Sequence, residues 1–263
     1  MKATVLAERW PLKRFEMFRE GLQHIGYQVD HRPEVTDLLV IWNRYRDGAE
    51  LADRFDDEGK PVIVAENAYI PEDGAGRRYT ALALDGHNGS GRIHVGGKER
   101  WERMEVELRP WRDGGEWILL CSQRGIGAPG MAMPPLFFEI ARRWILDFPQ
   151  NHHFHIEERK PPSRDTSQAE LAGLWCKLQA VVVWTSNMAT EALIQGIPAV
   201  YLGPHHIMEG ACGSLRHLPN PDKPDREKAF QRLAWAQWTK EEIQHGHPFA
   251  WLLSSLSGEK PDA

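Results

Sequence analysis

Two hydrophobic periodicities alternate along this chain. Short runs of mostly aliphatic and β-branched residues recur at Lys2–Ala7, Val35–Trp42, Lys60–Ala65, Tyr79–Leu84, Trp117–Ser122, Val181–Trp184 and Ile197–Leu202. Their apolar character on successive positions is that of strands covered on both faces. Between them lie segments with helical spacing, such as Leu12–Ile25, where Phe15, Phe18, Leu22 and Ile25 form one stripe. Ala49–Glu58, Leu136–Leu146, Gln168–Leu178 and Ala189–Ile194 predict further helices, His152–Glu157 a strand, and Arg226–Gly246 one helix or a broken pair. Alternating strands and helices predict an α/β fold with parallel sheets, helices on both faces.

The stretch from Ala180 to Gly203 is the most informative. A buried strand gives way to Thr185, Ser186 and Asn187, then to good helix formers, then to Gly196 and a second strand entered at Pro198. The turn puts hydroxyls and amide N–H groups at a helix N-terminus, which suits a phosphate or serves equally as an ordinary capped connection.

Polar composition breaks the pattern once. Residues 92–115 are rich in charge and glycine, and Pro110 with Asp113–Gly114–Gly115 marks a boundary. The expected organisation is two Rossmann-like α/β domains, residues 1–112 and 113–225, followed by 226–263 as a helical segment and tail. Ligands of such sheets bind outside the carboxyl ends of the strands. Two Rossmann-like domains facing a cleft, with the C-terminal helix packing back on the first, would gather the polar loops there.

The 263 residues carry a net charge of −5 and 41% hydrophobic content, the balance of a globular chain without a global basic field. Three cysteines without metal spacing predict reduced thiols in a cytoplasm. Charged residues interrupt the N-terminus, and no apolar run approaches the roughly 20 residues of a membrane span.

Candidate chemistry follows the strand ends. Asp85 precedes a glycine loop, with His87 and Asn88 beside it. Either titratable group suits removal of a proton from an acceptor hydroxyl, and Asp before Gly equally caps a turn. Gln123, Arg124 and Gly125 follow Trp117–Ser122 and suit a diphosphate. Arg159 and Lys160 offer a second cation. Glu191 lies one turn into the helix after Ser186, and His205–His206 follows the strand ending at Leu202. His153 and His155 share a strand face without a third metal ligand. An excess of three positive charges in residues 77–103, including Arg77 and Arg92, suits either a polyanionic acceptor or plain solvation.

With these residues in view, the second half resembles the nucleotide-binding domain of GT-B-type glycosyltransferases, nearest the capsule-polysaccharide and polysialyl-transferase kind. Thr185–Ser186 matches that group's hydroxyl pair, Asp85–Gly86 the end of its acidic–acidic–Gly base motif, and Lys160–Pro161 the position of its His-Pro. Leu84 stands in place of the first acid and Lys160 in place of the histidine. The stretch Leu233–Thr239, followed by Glu241–Glu242–Ile243, is similar to the end of short bacteriophage-encoded proteins of this type.

The resemblance implies a metal-independent glycosyltransferase that takes a nucleotide-sugar as co-substrate and needs no other cofactor. Asp85 or His87 would be the base. Gln123, Arg124, Gly125, Lys160, Thr185, Ser186, Asn187, Glu191 and His205 would hold the donor, and Asn88, Arg92 and Arg77 the acceptor. The phage-like ending implies hydroxymethylated pyrimidines in phage DNA as acceptor, in a host cytoplasm. A capsule-like glycan, a nucleotide-sugar 2-epimerase on the same fold and a non-catalytic DNA-binding module are the alternatives.

Overall fold

The structure, a computed structural model, describes residues 1–7, 12–30, 32–123, 132–161 and 173–257. The chain divides into two compact units, Met1–Val106 with Gln231–Ala263, and Glu107–Phe230. Each is a Rossmann-like α/β unit built on its own sheet.

The first unit begins β1 (Lys2–Leu6), α1 (Leu12–His24), β2 (Gln28–Val29), β3 (Leu38–Trp42), α2 (Asp47–Asp57), β4 (Val62–Glu72) and β5 (Arg78–Leu84). β1 pairs in parallel with β2 and β3, and β3 with β4. Alternate residues of β3 face opposite sides of the sheet. Leu38 and Val40 join Phe18 and Leu22 of α1 in one core, whereas Leu39 and Ile41 pack with Ala52 and Phe55 of α2 in another. Two covered faces explain why the strand runs carry no polar alternation.

One expectation is overturned by β5. It runs antiparallel to β4, with Leu84 opposite Ile63 and Ala81 opposite Glu66. Its carboxyl end therefore lies at the amino end of β4. A connection of few residues, with the Asp73 carboxylate accepting from the Ala75 and Arg77 amides (3.0 and 2.9 Å) and from the Tyr79 hydroxyl (2.7 Å), makes a hairpin where a parallel crossover was expected.

The last segment holds a second surprise. Arg226–Gly246 is not helical throughout. After the helix Glu227–Ala234, Gln237–Thr239 forms a strand antiparallel to β5, completing a six-stranded sheet. Thr239 and Glu242 then form a capping box that starts the short helix Lys240–Gln244, and His247–Ser257 is the final helix. Phe249 and Leu252 of that helix enter the core beside Phe18, so the C-terminal helix packs on the first unit as expected. Gly21 permits the approach of the short helix: a Cβ there would sit 1.9 Å from the Ile243 carbonyl oxygen.

The second unit is parallel throughout. β6 (Trp117–Cys121) lies between β7 (His155–Arg159) and β8 (Leu178–Val183), and β9 (Ala199–Tyr201) pairs with β8. The helices Phe137–Leu146 and Met188–Ile194 supply Phe137, Ala141 and Ile145, and Ala189, Ala192 and Leu193, all buried. The helix expected over Gln168–Leu178 lies partly outside the described residues, and its last position, Leu178, already begins β8. No helix among the described residues is long and apolar enough to cross a membrane.

Candidate functional site

In the second unit the strand order is β7-β6-β8-β9, so the chain reverses direction of winding between β6 and β8. Such a switch point opens a crevice beyond the carboxyl ends of the two strands. Gln123 follows β6 and Thr185 follows β8, and the two meet there. The Thr185 N–H donates to Gln123 Oε1, and Gln123 Nε2 donates to Thr185 Oγ1, both at 2.9 Å. Thr185 is buried.

Ser186 Oγ accepts from the Met188 N–H at 3.3 Å, so its own hydroxyl proton is left to donate elsewhere. Its carbonyl is held by His206. The ring of His206 is fully buried, bonds Ser186 O through Nε2 at 3.2 Å and accepts from the Met208 N–H through Nδ1 at 3.1 Å. Burial pushes its pKa down to about 4, so it is a neutral clamp on the Thr185–Ser186 turn. His205, the neighbour expected to bind donor, is exposed. Gly203 is needed for the same turn, because a Cβ there would lie 2.4 Å from Thr185 Cγ2. Asn187 occupies the N-cap of the Met188–Ile194 helix, but the side chain that meets the first-turn amide is that of Ser186.

Among the described residues a cation at this edge is Arg159, the last residue of β7. Its carbonyl accepts from the Ser122 N–H at 2.9 Å, and its Nε is buried without a hydrogen-bond partner. Its charge reaches Glu191 and Cys121. Burial raises the Glu191 carboxyl above its usual range, with Arg159 opposing the rise. Lys160, the residue favoured by the motif, is exposed. Strand alternation decides between them: adjacent residues at the end of β7 point to opposite faces. Arg124 and Gly125 lie outside the described residues.

In the first unit the antiparallel β5 moves Asp85 away from the carboxyl edge. Asp85 sits beside Val62, the first residue of β4, donating its N–H to Val62 O at 2.6 Å and accepting from the Val62 N–H at 3.2 Å. Its other carboxylate oxygen takes Arg92 Nε at 3.0 Å, and Arg44 Nη2 donates to its carbonyl at 3.1 Å. The backbone holds a positive φ of 62°. This is the bonding of a turn residue whose carboxylate is engaged on both oxygens. His87 is mostly enclosed, its Nδ1 is buried without a partner, and burial together with the Arg44 charge lowers its pKa. The Asn88 N–H donates to the Tyr69 hydroxyl at 2.9 Å.

Five of the six cations in residues 77–103 pair with carboxylates, and the sixth, Arg103, is exposed. Arg77 pairs with Asp73 at 2.8 Å, Arg78 with Glu72 at 3.2 Å, and Lys98 with Glu102 and Arg100 with Glu242 at 2.6 Å; Arg92 bonds Asp85.

Glu66 stands where the parallel pairing of β4 ends. Parallel pairing of β3 with β4 ends at Trp42 and Ala65, and Glu66 is the next residue. It keeps a partial opening to solvent, and Tyr69 hydrogen-bonds its carboxylate. Burial outweighs that bond and raises its pKa to about 7. The sequence signal is slight: Glu66 follows the apolar run Val62–Ala65 but lies within β4, which runs on to Glu72. Among the described residues no group of three or more His, Cys, Asp or Glu side chains could hold a metal ion.

Compared with known protein families, the chain matches none, and no curated protein is similar to it in sequence. Solved structures do share its fold. The KpsC beta Kdo 2,7 transferase of Thermosulfurimonas dismutans is 16% identical, with a TM-score of 0.50 over 94% of this chain and 98% of that one. The KpsC beta Kdo 2,4 transferase of the same organism is 13% identical, with a TM-score of 0.52 over 89% of each chain. At these identities the likeness is one of fold: the chain has the two-sheet α/β architecture of these GT-B-like transferases.

Proposed function

We propose that this protein transfers a glycosyl group from a nucleotide-sugar to an acceptor hydroxyl. One observation carries the reading: Gln123 and Thr185 join across the switch point of the second sheet, where α/β folds bind nucleotides. Ser186, with a hydroxyl proton to donate, and Arg159, with a buried unpaired N–H, supply anion-binding chemistry at the same edge. The nucleotide phosphate is the anion they suit, and it is also the leaving group that such contacts stabilise. The shared fold with capsule Kdo transferases agrees with this assignment.

The acceptor is read as a glycan hydroxyl in preference to hydroxymethylated DNA. A DNA site gains its affinity by releasing counterions from phosphates, which requires uncommitted cations. Five of the six cations in residues 77–103, Arg77, Arg78, Arg92, Lys98 and Arg100, are each matched with a carboxylate.

Calorimetry of the full chain against CMP, UDP, GDP and dTDP, followed by mass spectrometry of products from their sugar conjugates, tests the reading. Arg159→Ala with Ser186→Ala should weaken nucleotide binding by about 1.5–3 kcal/mol per lost charge-assisted bond. A chain that binds none of the four nucleotides is not a nucleotide-sugar enzyme. Sugar inversion without transfer would identify the epimerase alternative, and salt-sensitive duplex binding without turnover the DNA-binding one.

A further inference from the structure

We infer that the second unit carries a glycan-binding groove besides the crevice at Gln123 and Thr185, lined by Trp144, Asp147, Tyr201 and Glu209, and that its ligand is an uncharged sugar chain. The inference deepens the glycosyl-transfer reading, on which it rests for the choice of a glycan. All the lining residues belong to the second unit.

The helix Phe137–Leu146 commits Phe137, Ala141 and Ile145 to the core. Trp144, Asp147 and Phe148 are spaced three and four apart, so they share another side of the same helix end. With β9 and residues 209–215, that side bounds a cavity of about 630 Å³. Small-molecule sites occupy about 300–1,000 Å³. The walls are tied together without a ligand. Buried Asn151 donates from Nδ2 to the Ile145 carbonyl at 3.0 Å and to the Leu215 carbonyl at 3.1 Å. The Gly213 N–H donates to the Ala199 carbonyl at 2.8 Å, which fixes the third wall to β9. A preformed groove loses little freedom when it binds.

Three features choose the ligand. Trp144 is 40% exposed, and its indole N–H bonds no protein group among the described residues. An exposed indole face is electron-rich and receives the C–H face of a sugar ring. Asp147 is the C-cap of its helix, where the macrodipole disfavours a carboxylate, and its side chain forms no hydrogen bond or ion pair among the described residues. The fold gains no bond from that acid, whereas sugar hydroxyls donate to a carboxylate in charge-assisted bonds. Glu209 is a second such acceptor, with the Tyr201 hydroxyl already bonded to it. Third, no Lys, Arg or His is among the described lining residues. Two carboxylates without a cation repel a phosphate or an acidic sugar, so the ligand is neutral and the nucleotide belongs to the crevice. The groove adjoins the donor turn. The Tyr201 ring centroid is 5.7 Å from that of His206, whose Nε2 bonds the Ser186 carbonyl. A glycan held in the groove is therefore kept beside that turn. A basic peptide also suits two acids, and the test separates it.

Affinity electrophoresis of the full chain without nucleotide, in gels holding amylose, hydroxyethylcellulose or dextran, reads binding apart from turnover. At least one of these polysaccharides should retard the wild type. Trp144→Ala should weaken that binding about tenfold, through loss of the stacking face. Asp147→Asn should weaken it about threefold, because the acceptor stays and its charge goes. Melting curves check the fold: Asp147→Asn should melt at or above the wild-type temperature, since a charge opposing the helix dipole is removed. No retardation by any of the three polysaccharides overturns the inference. So does retardation that Trp144→Ala leaves unchanged. Calorimetry with hexalysine and with polysialic acid tests the charge argument. Hexalysine bound through Trp144 in place of the neutral polysaccharides makes the groove a basic-peptide site, and polysialic acid bound through Trp144 removes the case for a neutral ligand. The two readings fail separately. Sugar transfer by a chain that no polysaccharide retards refutes the groove alone, and polysaccharide binding through Trp144 by a chain that uses no sugar nucleotide refutes the transferase reading alone.

Discussion

The two α/β units start from the same winding and diverge at one strand. Both begin with a central strand, send the next to one side and the following two to the other, giving β2-β1-β3-β4 in the first and β7-β6-β8-β9 in the second. The second unit stops there, all parallel. The first adds β5 and the strand Gln237–Thr239, both in antiparallel pairings. In an all-parallel sheet the loop after every strand emerges at the same edge, so Gln123 and Thr185 could be grouped before any fold was known. One antiparallel strand breaks that rule, and it carried Asp85 to the far end. What separates the units is therefore the direction of a single strand, and a site argument based on strand ends is only as good as that direction.

The contrast is most sharply tested at the antiparallel extension. Arg100 is buried and donates to the carbonyls of Ala234 (2.8 Å) and Gln237 (2.7 Å) and to Glu242 (2.6 and 2.9 Å), with its guanidinium 3.9 Å from the Trp238 ring centroid. Gln237 in turn closes both backbone groups of Ile70 in the irregular part of β4, at 3.1 and 3.3 Å. Arg100→Ala removes the guanidinium from two carbonyls and from Glu242, which keeps only the Thr239 amide, an expected loss of about 3–5 kcal/mol. Urea denaturation measures it. If the extension were an accessory, the loss would stay below about 1 kcal/mol.

Next in size is the linkage of Glu66 to pH. Its pKa rises from 4.5 to about 7 on folding. Between those values the folded chain keeps a proton that the unfolded chain has released, so stability falls as pH rises through the window. A shift of this size corresponds to about 3 kcal/mol, and Glu66→Gln should be the more stable chain at pH 8 by up to that amount. Stability curves at pH 5 and pH 8 decide it, and a difference of the opposite sign rules it out.

Asp85 supplies the milder counterpart. Asp85→Asn keeps an acceptor for the Val62 amide and loses the charge facing Arg92, so about 1 kcal/mol of stability should go, with turnover per folded molecule preserved. Chemical denaturation beside an activity assay separates the two effects.

These cases show what the sequence carried. The long apolar runs of β3, β4, β6 and β8 announced a sheet covered on both faces, and the Ala180–Gly203 stretch announced a strand, a polar turn, a helix and a strand. Gln237–Thr239 was hidden because Gln, Trp and Thr between two helical patterns continue an amphipathic spacing; the sheet edge of β5 made it a strand. Glu66 was hidden for another reason. β4 runs on to Glu72, well past the apolar run, so the acid after Ala65 looked like the start of a loop. His206 was indistinguishable from His205 in sequence, and only burial separates the clamp from its exposed neighbour.

The smallest expected effect concerns Lys160, and it tests alternation at the end of a strand. The motif resemblance puts the donor cation at Lys160, and the structure gives Arg159 the buried unpaired N–H and the facing Glu191. Lys160 is exposed. A solvated lysine contributes little to a bound phosphate, because water screens its charge at the distances involved. Lys160→Ala should therefore change nucleotide affinity less than about twofold and stability by less than about 0.5 kcal/mol. Arg159→Ala removes a donor whose Nε has no other partner, so its cost in affinity should exceed that of Lys160→Ala by about tenfold. Calorimetry on the two single variants makes the comparison directly. The reverse ranking would mean that β7 delivers its next residue, and not its last, to the nucleotide, and the anion assignment at this edge would shift by one position.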